Sequence, residues 1–108
     1  MSDRFQGVTA LVTGAGSGIG EATSRALVAR DARVWLVDRD ADRIAALQAD
    51  LGADRTWTAT VDVSDRAAMS ALADRVHAET GPLSILVNNA GYAVVGSAFE
   101  STLDQWDQ

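Results

Sequence analysis

The sequence predicts an α/β fold in which parallel strands form one sheet and helices cover both of its faces. Four short apolar runs, typical of strands buried on both faces, alternate with three segments whose apolar residues recur at helical spacing. Each strand and the helix after it span about thirty residues, which suits a right-handed crossover between parallel strands. A glycine-rich turn follows the first apolar run. The alternation thus predicts a doubly wound parallel sheet.

The first half of the chain is predicted to hold two strands and two helices. The strands lie at residues 8–12 and 33–37, with a helix at residues 19–30 between them. One face of this helix is expected to be buried and carries mostly small residues: Ile19, Ala22 or Thr23, and Ala26 or Leu27. Helical spacing returns at Ile44, Leu47 and Leu51, which predicts the second helix. Gly52 is expected to end this helix.

The second half repeats this pattern. Strands are predicted at residues 56–61, which are rich in β-branched and aromatic residues, and at residues 83–87. Ser64 or Asp65 is expected to cap the helix between them, which Gly81-Pro82 breaks. Apolar residues of that helix repeat at i, i+3, i+4 and i+7, namely Met69, Leu72, Ala73 and Val76.

Length and composition restrict the classes of function. A chain of 108 residues, 47% hydrophobic and 22% charged, is expected to form one globular domain at residues 1–108. Because it has no cysteine, thiolate metal sites and thiol nucleophiles are excluded for these residues. The net charge of −6 argues against a nucleic-acid surface. No apolar run has membrane-spanning length and the first residues do not resemble a signal peptide, so a cytoplasmic protein without a membrane partner is expected.

The glycine-rich turn has the pattern T-G-x-x-x-G-x-G, formed by Thr13, Gly14, Gly18 and Gly20. Glycine permits positive φ and close approach of a ligand, and the following helix directs free N–H groups and its positive dipole end at an anion. A dinucleotide pyrophosphate suits such a turn. The spacing of the glycines does not match G-x-G-x-x-G. A phosphate-binding loop with lysine is excluded because the chain has no lysine. A simpler alternative is a turn that only packs a helix tightly on a strand.

Polar residues follow each of the other three strands. Asp38 and Arg39 follow the second strand, at a distance from the glycines where dinucleotide folds place the acid that binds ribose hydroxyls. Asp62-Val63 follows the third strand, and Asn88-Asn89-Ala90-Gly91 the fourth. Taken singly, these residues have local alternatives: Asp38 or Asp40 as a helix N-cap, Asp62 as a turn former, and the Asn pair as an Asx turn.

Together, these four motifs resemble the classical short-chain dehydrogenase/reductase family, over almost the entire chain. The resemblance implies a Rossmann-type sheet in the order 3-2-1-4, incomplete at its C-terminus, and an NAD(P)-dependent oxidoreductase that interconverts an alcohol and a ketone by hydride transfer. It implies that the cofactor contacts Gly14, Ser17, Gly18, Ile19, Gly20, Asp38, Arg39, Asp62, Val63, Asn89, Ala90 and Gly91.

The predicted cofactor is NAD rather than NADP. A carboxylate at Asp38 repels a 2′-phosphate, and Ser17 stands where NADP-preferring members of the family often carry a basic residue. Arg39 argues in the other direction, because an arginine at this place can hold a 2′-phosphate.

No catalytic residue is assigned. The family's catalytic Ser and Tyr-x-x-x-Lys are not found in these residues, and four residues after Tyr92 stands Gly96 rather than lysine. The resemblance therefore implies the cofactor-binding N-terminal portion of an enzyme, inactive by itself, whose full form is a homo-oligomer acting on a small alcohol or ketone. One alternative is a truncated, non-catalytic NAD-binding module. Another is a related epimerase, although the glycine spacing of the epimerases differs from that of this chain.

The remaining candidates are structural. No spacing of acidic residues suggests a metal site. His77, on a predicted helix, is expected at the surface, and Trp35 and Trp57 in the core.

Overall fold

A computed structural model describes residues 5–89, which form a four-stranded parallel sheet with helices on both faces. The neighbouring strands all pair in parallel in the order β3-β2-β1-β4. This confirms the predicted Rossmann-type order. In chain order the elements are β1 (Thr9–Thr13), α1 (Gly18–Ala29), β2 (Arg33–Asp38), α2 (Ala41–Leu51), β3 (Thr56–Thr60), α3 (Arg66–Thr80) and β4 (Ile85–Asn88).

Two hydrophobic clusters lie on opposite faces of the sheet, because successive residues of a strand point to opposite sides. On one face, strand residues such as Leu11 and Trp35 pack with the apolar residues of α3. On the other face, the intervening strand residues, such as Val12 and Val34, pack with α1 and α2. Both faces of the central strands are therefore buried, which explains the continuous apolar runs in the sequence.

The buried face of α1 agrees with the predicted one at Leu27 and differs from it at the start of the helix. Its buried residues are Gly20, Ser24 and Leu27, whereas Ile19 is 73% exposed. Gly20 has no Cβ and lies directly against the turn before the helix, so this row rather than that of Ile19 faces the sheet. The expectation that Ile19 lies on the buried face is therefore wrong.

Side-chain caps begin all three helices. Ser17 accepts from the N–H of Gly20 at 3.4 Å at the start of α1. The sequence left two candidate N-caps for each of the other helices. Asp40 rather than Asp38 caps α2, and Asp65 rather than Ser64 caps α3. Helices α2 and α3 end, as predicted, at glycines with positive φ, which are Gly52 and Gly81.

The two tryptophans predicted in the core are stacked, with ring centroids 5.9 Å apart and planes at 21°. Trp35 is fully buried, and its indole N–H donates to Thr80 Oγ1 at 3.0 Å. Trp57 is only half-buried because β3 is an edge strand. The prediction of a core position is thus confirmed for Trp35, whereas Trp57 is less buried than predicted.

His77 is exposed on α3, as expected. Within residues 5–89, no helix is both long and apolar enough to cross a membrane.

Candidate functional site

The predicted site residues that the structure describes lie at the carboxyl ends of the strands. In the sheet register, Thr13 is the partner of Val37 and of Asn88, and Asp38 is the partner of Thr60. The turns after β1, β2 and β3 and the end of β4 therefore lie at the same edge of the sheet. Because β1 lies between β2 and β4, this edge includes the point at which the strand order reverses, where open α/β sheets bind ligands.

The turn between β1 and α1, residues 14–17, is here called the glycine loop. Gly14 begins it with φ of 64°, a conformation that favours glycine. The N–H of Ala15 donates to the Val37 carbonyl oxygen at 3.1 Å, which connects the loop to β2. Ser17 closes the turn, since both its N–H, at 3.0 Å, and its hydroxyl, at 2.6 Å, donate to the carbonyl oxygen of Gly14.

The motif glycines have different surroundings. A Cβ built on Gly20 would lie 2.0 Å from the carbonyl oxygen of Gly14, so the packing of the helix requires glycine at this position. A Cβ built on Gly18 would meet nothing within 4 Å, and the neighbouring Ile19 side chain is exposed. The N-terminus of α1 is thus packed on one side and open on the other. Its first N–H groups, which have no carbonyl partner within the helix, suit an anion on the open side.

The Asp38 carboxylate joins the end of β2 to two neighbouring segments. Its Oδ2 atom accepts from the N–H of Gly16 at 2.8 Å, and its Oδ1 atom accepts from the N–H of Asp40 at 3.0 Å. Asp38 is half-buried and lines a surface cavity of about 500 Å³ together with residues 39–42. A carboxylate in this position retains acceptor capacity toward the cavity.

Two arginines flank Asp38. Arg39 is exposed and lines the same cavity. Arg43, on α2, lies across the outside of the glycine loop: its Nη1 atom donates to the Gly16 carbonyl oxygen at 3.4 Å, and its Nε atom lies 3.4 Å from Asp40 Oδ2. The region around Asp38 therefore contains both charge signs.

Asp62 and Val63, after β3, differ in exposure. Asp62 is exposed, and its Oδ1 accepts from the Ser64 hydroxyl at 2.7 Å and from the Ser64 N–H at 2.9 Å. These bonds, with a smaller contribution from the charge of Arg39, lower the pKa of the Asp62 carboxyl. The Val63 side chain is instead buried in the cluster beneath α3, so it packs in the core rather than facing the crevice.

At the end of β4, the Thr13 hydroxyl adds side-chain bonds to the pairing of β4 with β1. Thr13 Oγ1 accepts from the Asn89 N–H at 3.0 Å and lies 3.2 Å from Asn88 Oδ1 and 3.4 Å from the Val87 carbonyl oxygen. Thr13 is fully buried, whereas Asn89 is half-buried. The predicted site residues Ala90 and Gly91 lie outside the described residues.

Three residues of this region were not among the predicted site residues. Thr13 was within the glycine pattern, so its place in the sequence could have indicated it. Gly16 is one of the glycines of the loop, and its spacing gave a weaker signal. Arg43 gave none, because its contact with Gly16 joins residues 27 positions apart. Among the described residues, no cluster of acidic residues or histidine is suited to a metal ion.

A doubly wound parallel sheet, a glycine loop leading into a helix N-terminus, and an acid at the end of the second strand are together characteristic of dinucleotide-binding α/β proteins. The family model for short chain dehydrogenase matches residues 8–108. The chain belongs to the short-chain dehydrogenase/reductase family, whose members bind NAD(P).

Several known proteins are similar to this chain. D-threitol dehydrogenase of Mycolicibacterium smegmatis is 46% identical over 106 residues, which cover 96% of this chain and 41% of that protein. Meso-2,3-butanediol dehydrogenase of Serratia marcescens is 36% identical over 103 residues, which cover 95% of this chain and 41% of that protein. A metagenomic short-chain oxidoreductase, solved in complex with NADP, superposes with a TM-score of 0.88 at 27% identity, covering 100% of this chain and 61% of that one. The chain thus spans 41% of the length of these two curated relatives.

Proposed function

We propose that this chain forms the cofactor-binding part of an NAD(P)-dependent oxidoreductase that interconverts an alcohol and a ketone by hydride transfer. The observation that carries the proposal is the position of the Asp38 carboxylate, 2.8 Å from the N–H of Gly16, beside the open N-terminus of α1. This arrangement combines an acceptor for ribose hydroxyls with an anion site. Residues 1–108 are accordingly proposed as the N-terminal portion of one NAD(P)-binding domain.

The described residues fit such a cofactor. The N–H groups of Gly18 and Ile19, at the start of α1, are proposed to hold the pyrophosphate, since the open space at Gly18 admits it and the Gly20 N–H is bonded to Ser17. The exposed Ile19 side chain offers an apolar surface beside that site. When bound, the nicotinamide supplies or accepts the hydride. The proposed cofactor-binding residues are those named from the sequence: Gly14, Ser17, Gly18, Ile19, Gly20, Asp38, Arg39, Asp62, Val63, Asn89, Ala90 and Gly91. Val63 is proposed to contribute only its backbone, because its side chain packs in the core.

NAD is proposed as the preferred cofactor. The Asp38 carboxylate repels a 2′-phosphate, and the neighbouring cation Arg43 is paired with Asp40. Arg39 is the cation next to Asp38 that is best placed to attract a phosphate, because it lines the same cavity as the Asp38 carboxylate. A similar protein has been solved with NADP, so the preference requires a direct measurement.

The proposed substrate is a small alcohol with hydroxyls on adjacent carbons. Three relatives support this proposal, because they are named for D-threitol, meso-2,3-butanediol and galactitol, each of which is a polyol or diol. We further propose that the complete protein is a cytoplasmic homo-oligomer without nucleic-acid or membrane partners, on the basis of the acidic net charge and the family resemblance.

The first experiment is a fluorescence titration of the protein with NADH and with NADPH. We expect tighter binding of NADH, and a smaller difference between the two in Asp38→Ala, because that variant lacks both the ribose acceptor and the charge that repels a 2′-phosphate. Asp74→Ala is the matched control, since it removes the same charge from an exposed position on α3. An unchanged ratio of the two affinities in Asp38→Ala contradicts the role of Asp38.

A second variant tests the anion site. Gly18→Ala places a methyl group in open space, so it should not disturb the fold, yet it occupies the face where the pyrophosphate is proposed to lie. We expect affinity for NADH and NADPH to fall together with little change in Tm. Oxidation of D-threitol and meso-2,3-butanediol by the complete protein then tests the enzyme; cofactor binding without turnover of any alcohol would favour the non-catalytic binding module.

A further inference from the structure

We propose that Asp38 is also a positioning residue, which holds the glycine loop in its binding shape before any cofactor arrives. The consequence for cofactor affinity rests on the proposed function, whereas the effect on the loop does not. In this role the carboxylate acts on the protein's own backbone, separately from any contact with ribose.

The first support is the hydrogen bonding of the carboxylate. Both oxygens accept from backbone N–H groups, Gly16 at 2.8 Å and Asp40 at 3.0 Å. Hydrogen bonds to an ionised acceptor are stronger than those between neutral groups. An ionised carboxylate has about four acceptor sites, so two such bonds leave capacity for hydroxyl groups of a ligand. Asp38 can therefore fix the loop and bind ribose at the same time.

The second support is that the loop is held on both sides of Gly16. Asp38 accepts from its N–H, while Arg43 Nη1 donates to its carbonyl oxygen at 3.4 Å. A Cβ built on Gly16 would lie 2.9 Å from Arg43 Cβ and 3.0 Å from Asp38 Oδ2. Gly16 is thus enclosed between these two side chains, and only glycine fits without displacing one of them. The reason for glycine differs at Gly14, where the backbone has a positive φ.

The third support is that the loop has few other attachments to β2. One bond joins the loop backbone to the strand, from the Ala15 N–H to the Val37 carbonyl oxygen at 3.1 Å. The Asp38 bond to Gly16 lies next to it and joins residues 22 positions apart. Loss of the carboxylate therefore removes a principal link between the glycine loop and the neighbouring strand. A loop that must become ordered on binding lowers affinity for every ligand that needs it.

The proposal is tested first without cofactor, by amide hydrogen exchange of the complete protein followed by NMR. In Asp38→Ala the Gly16 amide is expected to exchange about tenfold faster or more, because a charge-assisted hydrogen bond is lost. In the nearly isosteric Asp38→Asn, one carbonyl oxygen cannot serve both N–H groups equally, so the Gly16 or the Asp40 amide should exchange faster. Asp42→Asn, which removes a nearby charge on α2, should leave Gly16 unchanged. Unchanged Gly16 and Asp40 exchange in both Asp38 variants would overturn the proposal.

Cofactor titration separates positioning from charge repulsion alone. If Asp38 only repels a 2′-phosphate, Asp38→Asn should tighten NADPH binding and leave NADH binding nearly unchanged. If it also binds ribose or holds the loop, affinity for NADH should fall by about tenfold, and faster Gly16 exchange in the absence of cofactor assigns at least part of that fall to the loop. Tighter NADPH binding with unchanged NADH binding therefore contradicts the positioning role. Failure of the wild-type protein to bind either cofactor would instead contradict the proposed function, and the exchange result would stand independently.

Discussion

Gly20 lies so close to Gly14 that a Cβ at residue 20 would come within 2.0 Å of the Gly14 carbonyl oxygen. The first turn of α1 is therefore packed directly against the backbone of the glycine loop. Since backbone atoms cannot move aside as a flexible side chain can, any larger residue must displace the helix or the loop.

We therefore expect Gly20→Ala to destabilise the fold by about 3 kcal/mol, because the added methyl group overpacks a backbone contact. Urea unfolding followed by circular dichroism measures this change. Gly18→Ala is the control, since its methyl group meets nothing within 4 Å and alanine favours a helix; its stability should stay within about 1 kcal/mol of the wild type. Equal effects of the two substitutions would contradict the close packing of Gly20.

The buried indole of Trp35 depends on Thr80 as its acceptor, at 3.0 Å. Thr80→Val keeps the shape but leaves the indole N–H without this partner, so we expect a loss of about 1–3 kcal/mol in the free energy of unfolding. Thr80→Ser retains the hydroxyl and should lose less. Urea denaturation monitored by tryptophan fluorescence compares them, and a serine variant as unstable as the valine variant would show that the hydroxyl is unimportant.

The Thr13 hydroxyl is expected to hold the end of β4 against β1. Thr13→Val is nearly isosteric but removes the acceptor for the Asn89 N–H, so stability should fall by about 1–3 kcal/mol. Amide exchange at Asn89 should accelerate in this variant more than exchange at Leu11, in the centre of β1. Thr13→Ser, which keeps the hydroxyl, is expected to preserve protection of Asn89; if it does not, the methyl group rather than the hydroxyl is responsible.

Asp62 is expected to give a small acid dependence to stability. Because its folded pKa is lowered by the Ser64 hydroxyl and N–H, its stabilising contribution is complete above the pKa of the unfolded chain and is lost as the pH falls through the lower folded pKa. Ser64→Ala should raise the pKa of Asp62 toward its ordinary range, as followed by carbon NMR of the carboxyl group. Arg39→Ala should raise it less, because the charge of Arg39 is the smaller cause; a larger effect of Arg39→Ala would reverse this order.

The sequence by itself determined the fold and the sites of the main turns. Apolar runs without alternation indicated strands covered on both faces, and this prediction succeeded because hydrophobic periodicity is a property of neighbouring positions. The glycine-rich turn and the three polar motifs also fell at strand ends for this reason, since a strand must end where its apolar run ends. The sheet order β3-β2-β1-β4 was implied by the family resemblance, and the structure confirms it.

Only the tertiary structure decided which side chains meet. The small residues of α1 gave an ambiguous helical face, and close approach at Gly20 selected one that leaves Ile19 exposed. The edge position of β3 left Trp57 half-buried. The contacts of Asp38 with Gly16, and of Gly16 with Arg43, cross 22 and 27 positions of the chain. Such contacts depend on distances between segments brought together by folding, whereas sequence patterns record only separation along the chain.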